Sequence, residues 1–313
     1  MVRTVGVDLG GTNVRAALVD PATGSIVGSE VKRPVTDKQP EAVADLVAEV
    51  VRAADPKGER SAVGVGFAAM LRGFTGVVVN SPNFGWREVD FRGLLRARLG
   101  EQVELYNDLK AIAYGEVRWG GSGEARHVCF VFVGTGVGAG LVVDGRLDFG
   151  ASHLAGEYGH VKVVPGGRLC GCGQRGCLEA YTSGRNIQLR AVEELRAGAT
   201  SRAVELAGAV DKVHAGHLDQ AAREGDAYAT RLWDEVSGHL GVALANLVTT
   251  LNPSRLVMGG GVWHGCPELR RRTIDVFHAQ ANRPSLEGFT LVDSQLGDIA
   301  GVLGAATLAG SLS

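Results

Sequence analysis

A strand, a glycine-rich turn and a second strand occur twice in this chain. The first copy is TVGVDLGGTNVRAALVD at residues 4–20, and the second is VFVGTGVGAGLVVDGRL at residues 131–147. Each copy starts with an apolar run typical of a buried strand and turns at small residues. In both copies the turn leads into another strand, whereas a dinucleotide-binding turn leads into a helix. The sequence therefore predicts an internally duplicated α/β fold.

The length of the chain predicts two lobes. Its 313 residues exceed the range in which one hydrophobic core usually keeps growing. We place a small lobe at residues 1–107 and a large lobe at 108–296. The tail DIAGVLGAATLAGSL is rich in small residues, as in a closely packed helix. We expect this helix, residues 297–313, to join the small lobe, because chain termini often lie close together.

Composition and charge exclude several classes of partner. The formal net charge of −2 supplies no basic surface for nucleic acid or anionic lipid. At the N-terminus Asp8 interrupts the apolar run that a signal peptide would need. The apolar stretch 128–143 is rich in glycine and shorter than the roughly 18–20 residues of a membrane helix. We expect a cytoplasmic protein that binds neither membrane nor nucleic acid.

The glycine turns are candidate phosphate-binding sites. Turns without side chains expose backbone N–H groups that bind anions, and Thr12 and Thr135 add hydroxyl donors. Asp8, near the end of the first strand, could hold Mg²⁺ through water beside the phosphates. The chain contains no Gly-Lys dipeptide, which excludes a Walker P-loop. A third glycine run at 259–261 favours nucleotide binding, although tight hairpins that bind no ligand remain the alternative.

Asp108 is the candidate catalytic base. It follows the strand pattern VELYN, and ligands of α/β sheets collect at the carboxyl ends of strands. A kinase that acts on an alcohol needs a carboxylate within hydrogen-bond reach of the hydroxyl. The alternative is structural, because Asp108 precedes a helical pattern and aspartate is a common N-cap.

Three cysteines and one histidine form a candidate metal site. The stretch CGCGQRGC contains Cys170, Cys172 and Cys177, and His160 precedes it in GEYGH. The spacing H-x9-C-x-C-x4-C supplies the ligands of a tetrahedral Cys₃His zinc site, which would be structural because no position stays open. The alternative is a C-x-C redox pair, which needs no third cysteine.

Two glutamates flank the candidate metal ligands. Glu157 lies three residues before His160, and Glu179 lies two residues after Cys177. Carboxylate and imidazole groups suit the recognition of a polyol, because each can take one sugar hydroxyl. The alternative is that both glutamates are ordinary surface charges.

Taken together, these motifs resemble the ROK family of repressors and sugar kinases, and within it the bacterial glucokinases. The segments that carry the resemblance are DLGGTNVRAAL, GTGVGAGLVVDGRL, LAGEYGHVKV, CGCGQRGCLEAYTSG and LNPSRLVMGGGV. The resemblance implies an α/β, two-lobed actin-like ATPase fold with a zinc-stapled segment, and a homodimer or dimer of dimers. It also implies transfer of phosphate from MgATP to the 6-hydroxyl of glucose or a related hexose.

The resemblance also assigns roles to individual residues. Asp108 would be the base, and Asn83, Asn107, Asp108, Glu157, His160 and Glu179 would bind the sugar. Zinc would be held by His160, Cys170, Cys172 and Cys177. Magnesium and phosphates would be surrounded by Asp8, Gly10, Gly11, Thr12, Asn13, Gly134, Thr135 and Gly136, and the adenosine by Gly259 and Gly260.

Four alternatives stay open at this point. Kinases for N-acetylglucosamine or N-acetylmannosamine carry the same motifs. A sugar-responsive repressor would need an N-terminal helix-turn-helix, for which we expect no room before Asp8. A zinc-stapled sugar-binding protein without catalysis would not need Asp108. Polyphosphate could replace ATP as the phosphate donor.

Overall fold

The structure is a computed structural model that describes residues 2–120 and 125–311. The chain divides into two compact units. Unit 1 consists of Met1–Arg126, Gly140–Gly156 and Ser294–Ser313, and unit 2 of His127–Ala139 and Glu157–Asp293. This geometric division differs in its bounds from the predicted lobes, which stay a prediction. Residues 312 and 313, which the sequence places in the predicted C-terminal helix, lie outside the described residues.

The first part of the chain alternates strands with three helices. In chain order its elements are the strands β1 (Thr4–Leu9), β2 (Asn13–Asp20), β3 (Ser25–Ile26), β4 (Val31–Pro34), β5 (Ala62–Phe67), β6 (Met70–Leu71), β7 (Val77–Ser81), β8 (Trp86–Asp90) and β9 (Val103–Asn107), and the helices α1 (Pro40–Ala54), α2 (Phe91–Leu99) and α3 (Asp108–Trp119). The strands β1 and β2 are the first predicted strand–turn–strand copy.

The second part contains the other copy and most of the helices. Its strands are β10 (Val128–Val133), β11 (Val137–Val143), β12 (Arg146–Asp148), β13 (Arg255–Gly259) and β14 (Thr290–Asp293), and its helices are α4 (Glu179–Thr182), α5 (Gly184–Arg196), α6 (Ala203–Ala207), α7 (Ala215–Arg223), α8 (Ala227–Leu251), α9 (Gly261–Gly265), α10 (Pro267–Gln280) and α11 (Ala300–Gly310). The strands β10 and β11 match the second copy.

The main sheet of unit 1 has the order β3-β2-β1-β5-β9, with β4 also paired to β2. Strands β1, β5 and β9 are parallel, and β2 runs antiparallel to β1. Val5, Val7 and Leu9 of β1 are fully buried in the core that also contains the apolar face of α1. Successive strand residues point to opposite faces, so Gly6 and Asp8 face the other side of the sheet.

Helix α11 covers that other side of the unit 1 sheet. A Cβ on Gly6 would lie 1.9 Å from Val302 O, and one on Gly64 would lie 2.0 Å from Ala305 O. Since only glycine lets two backbones approach so closely, these strand glycines fix where the helix lies. Thr4 Oγ1 also donates to Ala306 O at 2.9 Å. The C-terminal helix therefore completes the core around the first strand.

Unit 2 is built on the parallel strands β10, β13 and β14. They belong to a sheet of order β12-β11-β10-β13-β14, and the division between the units falls within β11. A third, antiparallel sheet of unit 1 has the order β6-β7-β8. The longest helix, α8, buries one face that includes Trp233, Leu240 and Leu244.

Two helices occupy most of residues 215–251 and are separated by a short break. Helix α7 ends at Arg223 and α8 begins at Ala227. Gly225 between them has φ +84°, a left-handed conformation that interrupts a helix. Asp226 then caps α8, because its Oδ1 accepts from Ala229 N at 2.8 Å.

Candidate active site and metal cluster

The first glycine turn follows β1 in unit 1. Gly10 N donates to Asn13 O at 2.9 Å, which closes the turn. A Cβ on Gly11 would lie 3.2 Å from Cβ of Asn83, so the turn packs against the segment that carries Asn83. Val35 N donates to Thr12 O at 2.8 Å and fixes the far side of the turn. The structure thus brings a predicted sugar ligand next to the predicted phosphate turn.

Asp8 lies beside this turn, close to the start of α11. A Cβ on Gly301 would lie 3.1 Å from Asp8 Cγ. Burial raises the pKa of Asp8 to about 6, which the Arg15 guanidinium opposes and the carboxylates of Asp298 and Glu30 reinforce. A partly buried carboxylate gains most from a nearby cation, which restores its ionised form. This environment suits the predicted role of Asp8 beside a hydrated Mg²⁺.

Asp108 is the first residue of α3, directly after β9. The N-cap of α3 is Asn107, whose side chain accepts from Lys110 N at 3.2 Å. Thus the alternative that made Asp108 the N-cap is wrong, because the neighbouring asparagine takes that position. Asp108 Oδ1 accepts from Leu109 N at 2.9 Å. The helix N-terminus also favours the ionised carboxylate.

Asp8 and Asp108 lie at the same edge of the unit 1 sheet. Strands β1 and β9 are both parallel to β5, which lies between them. In β5, Gly66 pairs with Asp8 on one side, and a Cβ on Gly66 would lie 3.8 Å from Asp108 Cα. The carboxyl ends of parallel strands collect ligands. Two acidic groups, Asp8 and Asp108, therefore lie at the carboxyl ends of the parallel strands on either side of β5, where ligands of such sheets collect.

Lys110 is a buried, charged side chain in the first turn of α3, near Asp108. It is 3% exposed. Its Nζ donates to His153 O and lies 5.8 Å from the centroid of the Phe149 ring. The lysine therefore ties the first turn of α3 to the loop that leads toward Glu157. Sequence alone held no signal for this contact, because 43 residues separate the two partners.

The predicted metal ligands converge in unit 2 and form a group that we call the Cys/His cluster. The ligand atoms of His160, Cys170, Cys172 and Cys177 all lie within 4.8 Å of one another. Cys172 Sγ and Cys177 Sγ are 3.7 Å apart, and Cys170 Sγ is 3.8 Å from His160 Nδ1. Sulfur atoms at the usual Zn–S distance of about 2.3 Å from a tetrahedral centre lie about 3.8 Å apart. The donor set and its spacing therefore fit a tetrahedral zinc ion.

His160 presents its two ring nitrogens to different neighbours. Nδ1 faces Cys170 in the cluster, whereas Nε2 lies 3.7 Å from Glu157 Oε2. Gly159 beside it packs on β11, since a Cβ there would lie 2.2 Å from Val137 O. One imidazole can thus serve the cluster through one nitrogen and a polar ligand through the other.

Glu179 connects the cluster to the second glycine turn. Its Oε2 accepts from Val137 N at 3.0 Å, and its Oε1 lies 3.7 Å from Cys170 Sγ. The turn itself is closed by Gly134 N, which donates to Gly136 O at 2.9 Å. Glu179 is therefore bound within unit 2 and is not an isolated surface charge.

The third glycine run lies against the second turn. Gly260 has φ +98°, and a Cβ on it would lie 2.5 Å from Val133 O. A Cβ on Gly134 would lie 3.7 Å from Gly261 N. Gly259 is the last residue of β13, which pairs with β10. The structure thus brings the residues predicted for phosphates and for adenosine to adjacent strand ends of unit 2.

Lys162 is a cluster neighbour that the sequence did not reveal. Its Nζ donates to Cys177 Sγ at 2.9 Å, and this hydrogen bond raises the pKa of Lys162.

The two cysteines outside the cluster, Cys129 and Cys266, are buried, which raises the pKa of both thiols to about 12. Buried thiols with a raised pKa form little thiolate and are therefore unreactive.

Among the predicted sugar ligands, Asn83, Asn107 and Asp108 belong to unit 1, and Glu157, His160 and Glu179 belong to unit 2.

Among the described residues, no helix combines the length and the apolar composition that crossing a lipid bilayer requires.

The fold is similar to that of a solved glucokinase from Streptomyces griseus in complex with glucose and AMPPNP. The TM-score is 0.79 at 34% sequence identity, over 99% of each chain. The chain thus has the α/β, two-lobed fold of sugar kinases, which confirms the predicted fold class.

The family follows from the sequence comparisons. Residues 4–311 match the model of the ROK family, and the chain belongs to this family. It is 34% identical to a glucokinase from Streptomyces coelicolor, over 98% of this chain and 97% of that one. It is also 31% identical to an N-acetylmannosamine kinase from Escherichia coli, over 98% of both chains. The predicted resemblance is confirmed.

Proposed function

We propose that this protein is a glucokinase, which transfers the γ-phosphoryl group of MgATP to the 6-hydroxyl of glucose. The observation that carries the proposal is the position of Asp108. It follows a strand at the sheet edge that also carries Asp8, and it opens a helix whose N-terminus favours its ionised form. A carboxylate so placed can accept the hydroxyl proton while the phosphoryl group moves.

The other candidate sugar ligands lie in the segment around the Cys/His cluster. Glu157, His160 and Glu179 stand on or beside the Cys/His cluster, and each offers a group that can bond a sugar hydroxyl. A structural Zn²⁺, held by His160 and the three cysteines, would supply rigidity and no chemistry. Mg²⁺ would neutralise phosphate charge beside Asp8, and catalysis would rest on positioning.

An ADP-release assay with MgATP tests the proposal over a panel of sugars. We expect kcat/KM to be highest for glucose, and N-acetylglucosamine and N-acetylmannosamine to be at least about tenfold poorer, because a pocket shaped for a hydroxyl resists the larger acetamido group. The matched control is 6-deoxyglucose, which lacks the acceptor hydroxyl and should release no ADP. Absence of ADP release with every sugar would refute the kinase activity.

A second candidate is N-acetylmannosamine kinase, which the similarity to the Escherichia coli enzyme favours. The same panel separates the two candidates. If N-acetylmannosamine gives the highest kcat/KM, then the glucose assignment is wrong and the second candidate replaces it. The phosphoryl-transfer chemistry proposed for Asp108 would be the same for both sugars.

A further inference from the structure

The two carboxylate oxygens of Glu179 contact two different parts of unit 2. Oε2 accepts from the backbone N–H of Val137 at 3.0 Å, at the end of the glycine turn 134–136. Oε1 lies 3.7 Å from the sulfur of Cys170, a member of the Cys/His cluster. The residue begins α4 and stands two positions after Cys177, so its backbone follows the cluster directly. One side chain thus joins two segments that are 42 residues apart.

Glycines make room for this contact on both sides. A Cβ on Gly136 would lie 2.8 Å from Glu179 Oε2. A Cβ on Gly159 would lie 2.2 Å from Val137 O and 3.3 Å from Glu179 Cβ. A larger residue at Gly136 would displace the carboxylate, and one at Gly159 would push its segment away from β11. The close approach of this segment to β11 therefore explains Gly159, the second glycine of the GEYGH motif.

A second hydrogen bond holds the other end of the same turn. Gly184 N, at the start of α5, donates to Gly134 O at 2.8 Å. Helix α5 follows α4 after a single residue, Ser183, whose side chain accepts from Asn186 N. The turn is therefore clamped between Glu179 and Gly184, both of which belong to the segment that leaves the cluster.

We infer that Glu179 couples the Cys/His cluster to the phosphate turn, so that nucleotide affinity depends on the assembled cluster. The inference rests on the proposed function, in which this turn binds the phosphates of ATP. A turn can offer its N–H groups to an anion without an ordering cost only if its conformation is already fixed. Glu179 fixes it from the cluster side, and it acts on the nucleotide as a positioning residue.

The charge of Glu179 makes the inference specific. A carboxylate near a phosphate site repels the ligand, so its negative charge does not itself favour nucleotide binding. What binding needs from Glu179 is the oxygen that accepts from Val137 N–H. Glutamine keeps such an oxygen and loses the charge, whereas alanine loses both. The two substitutions should therefore differ in nucleotide affinity.

The test measures binding of MgADP to the sugar-free protein by calorimetry, with the metal content of every variant determined. We expect Glu179→Ala to weaken MgADP binding about tenfold, the loss typical of one charge-assisted hydrogen bond. Glu179→Gln should stay within about threefold of the wild type. The matched control is Glu205→Gln, an exposed carboxylate of α6 in unit 2 that pairs with Arg202 outside the cluster and should leave MgADP affinity unchanged.

Metal removal completes the test. Dialysis against a chelator should weaken MgADP binding in the wild type, but should weaken it much less in Glu179→Ala, because the coupling residue is already missing. Circular dichroism checks that each sample stays folded. Wild-type MgADP affinity in Glu179→Ala would overturn the inference, as would equal losses in the alanine and glutamine variants or in Glu205→Gln. Failure of the wild type to bind MgADP would instead overturn the proposed function.

Discussion

The two glycine turns share a sequence plan but differ in what supports them. The turn of unit 1 has its acidic residue, Asp8, on the strand that leads into it, and helix α11 and the segment of Asn83 pack against that region. The turn of unit 2 has no acidic residue of its own. Its carboxylate contact is Glu179, which comes from the segment after the Cys/His cluster.

The two copies of the strand–turn–strand motif are therefore held in place by different kinds of contact. In unit 1, parallel strands and a closely packed helix hold the polar groups. In unit 2, the segment 157–178 between β12 and α4 contains one short 3₁₀ turn and two isolated antiparallel bridges, Lys162–Cys177 and Leu169–Arg175. These bridges are not a continuous sheet ladder, so side-chain contacts add to the order of the segment. A metal ion bound by the four clustered ligands would cross-link this segment without a large apolar core.

Replacing Asp108, the unit 1 carboxylate that directly follows β9, should have the largest effect. We expect Asp108→Asn to lower kcat by about 10²–10⁴, the usual contribution of a general base. The KM for the sugar should change little, since an amide can still accept a hydrogen bond from the hydroxyl. Steady-state kinetics measure both values, with Asp275→Asn on the exposed face of α10 as the control. A nearly normal kcat would remove Asp108 from catalysis.

Removing a cluster ligand should affect unit 2 and spare unit 1. We expect Cys172→Ser to lose bound metal and to lower the free energy of unfolding by at least about 2 kcal/mol, since the metal contributes folding energy. Hydrogen exchange should speed up in residues 157–182, while β1, β5 and β9 keep their protection.

Cys266→Ala is the control for this variant, because Cys266 is buried outside the cluster. It should keep its metal. Metal analysis, thermal melts and exchange measurements together check the prediction. A wild-type protein that is folded and active without any bound metal would contradict it.

The smallest effect should be on the pH dependence of stability, and it comes from Asp8, the carboxylate beside the unit 1 turn. The pKa of Asp8 is raised from 3.8 to about 6, mainly by burial. Between these values the folded protein binds the proton more tightly than the unfolded chain does, so stability falls as the pH rises from about 4 to about 6. Above pH 6 the loss is complete and amounts to at most about 3 kcal/mol.

Asp8→Asn should remove this pH dependence. In magnesium-free buffer at pH 7.5 we expect the variant to be more stable than the wild type, by up to about 3 kcal/mol, because no charge is buried. Its kcat should nevertheless fall, because the cation site is lost. Urea unfolding at pH 4.5, 5.5 and 7.5 measures the slope. An unchanged slope in the variant would show that Asp8 does not titrate in this range.

Features encoded by neighbouring residues could be predicted from the sequence. The alternation and turn glycines predicted β1, β2, β10 and β11, because strand and turn propensities act over a few residues. The convergence of His160 with Cys170, Cys172 and Cys177 also followed from spacing, since one short segment contains all four. Glycines between the cysteines allow that segment to bend.

Other features depend on tertiary contacts or on a choice between similar neighbours. Asn107 and Asp108 are both good caps, and only the backbone conformation decides that Asn107 is the N-cap. The bond between Glu179 and Val137 joins distant segments and has no local signal. By contrast, the break between α7 and α8 has a local signal in Gly225, whose positive φ interrupts a helix.

The close approach of α11 to β1 also constrains how the protein is made. The backbone that packs on Gly6 of β1 comes from Val302, 296 residues later in the chain. The part of the unit 1 sheet beneath α11 therefore stays uncovered until residue 310 has left the ribosome. During translation that part of the sheet is a surface for chaperones to shield.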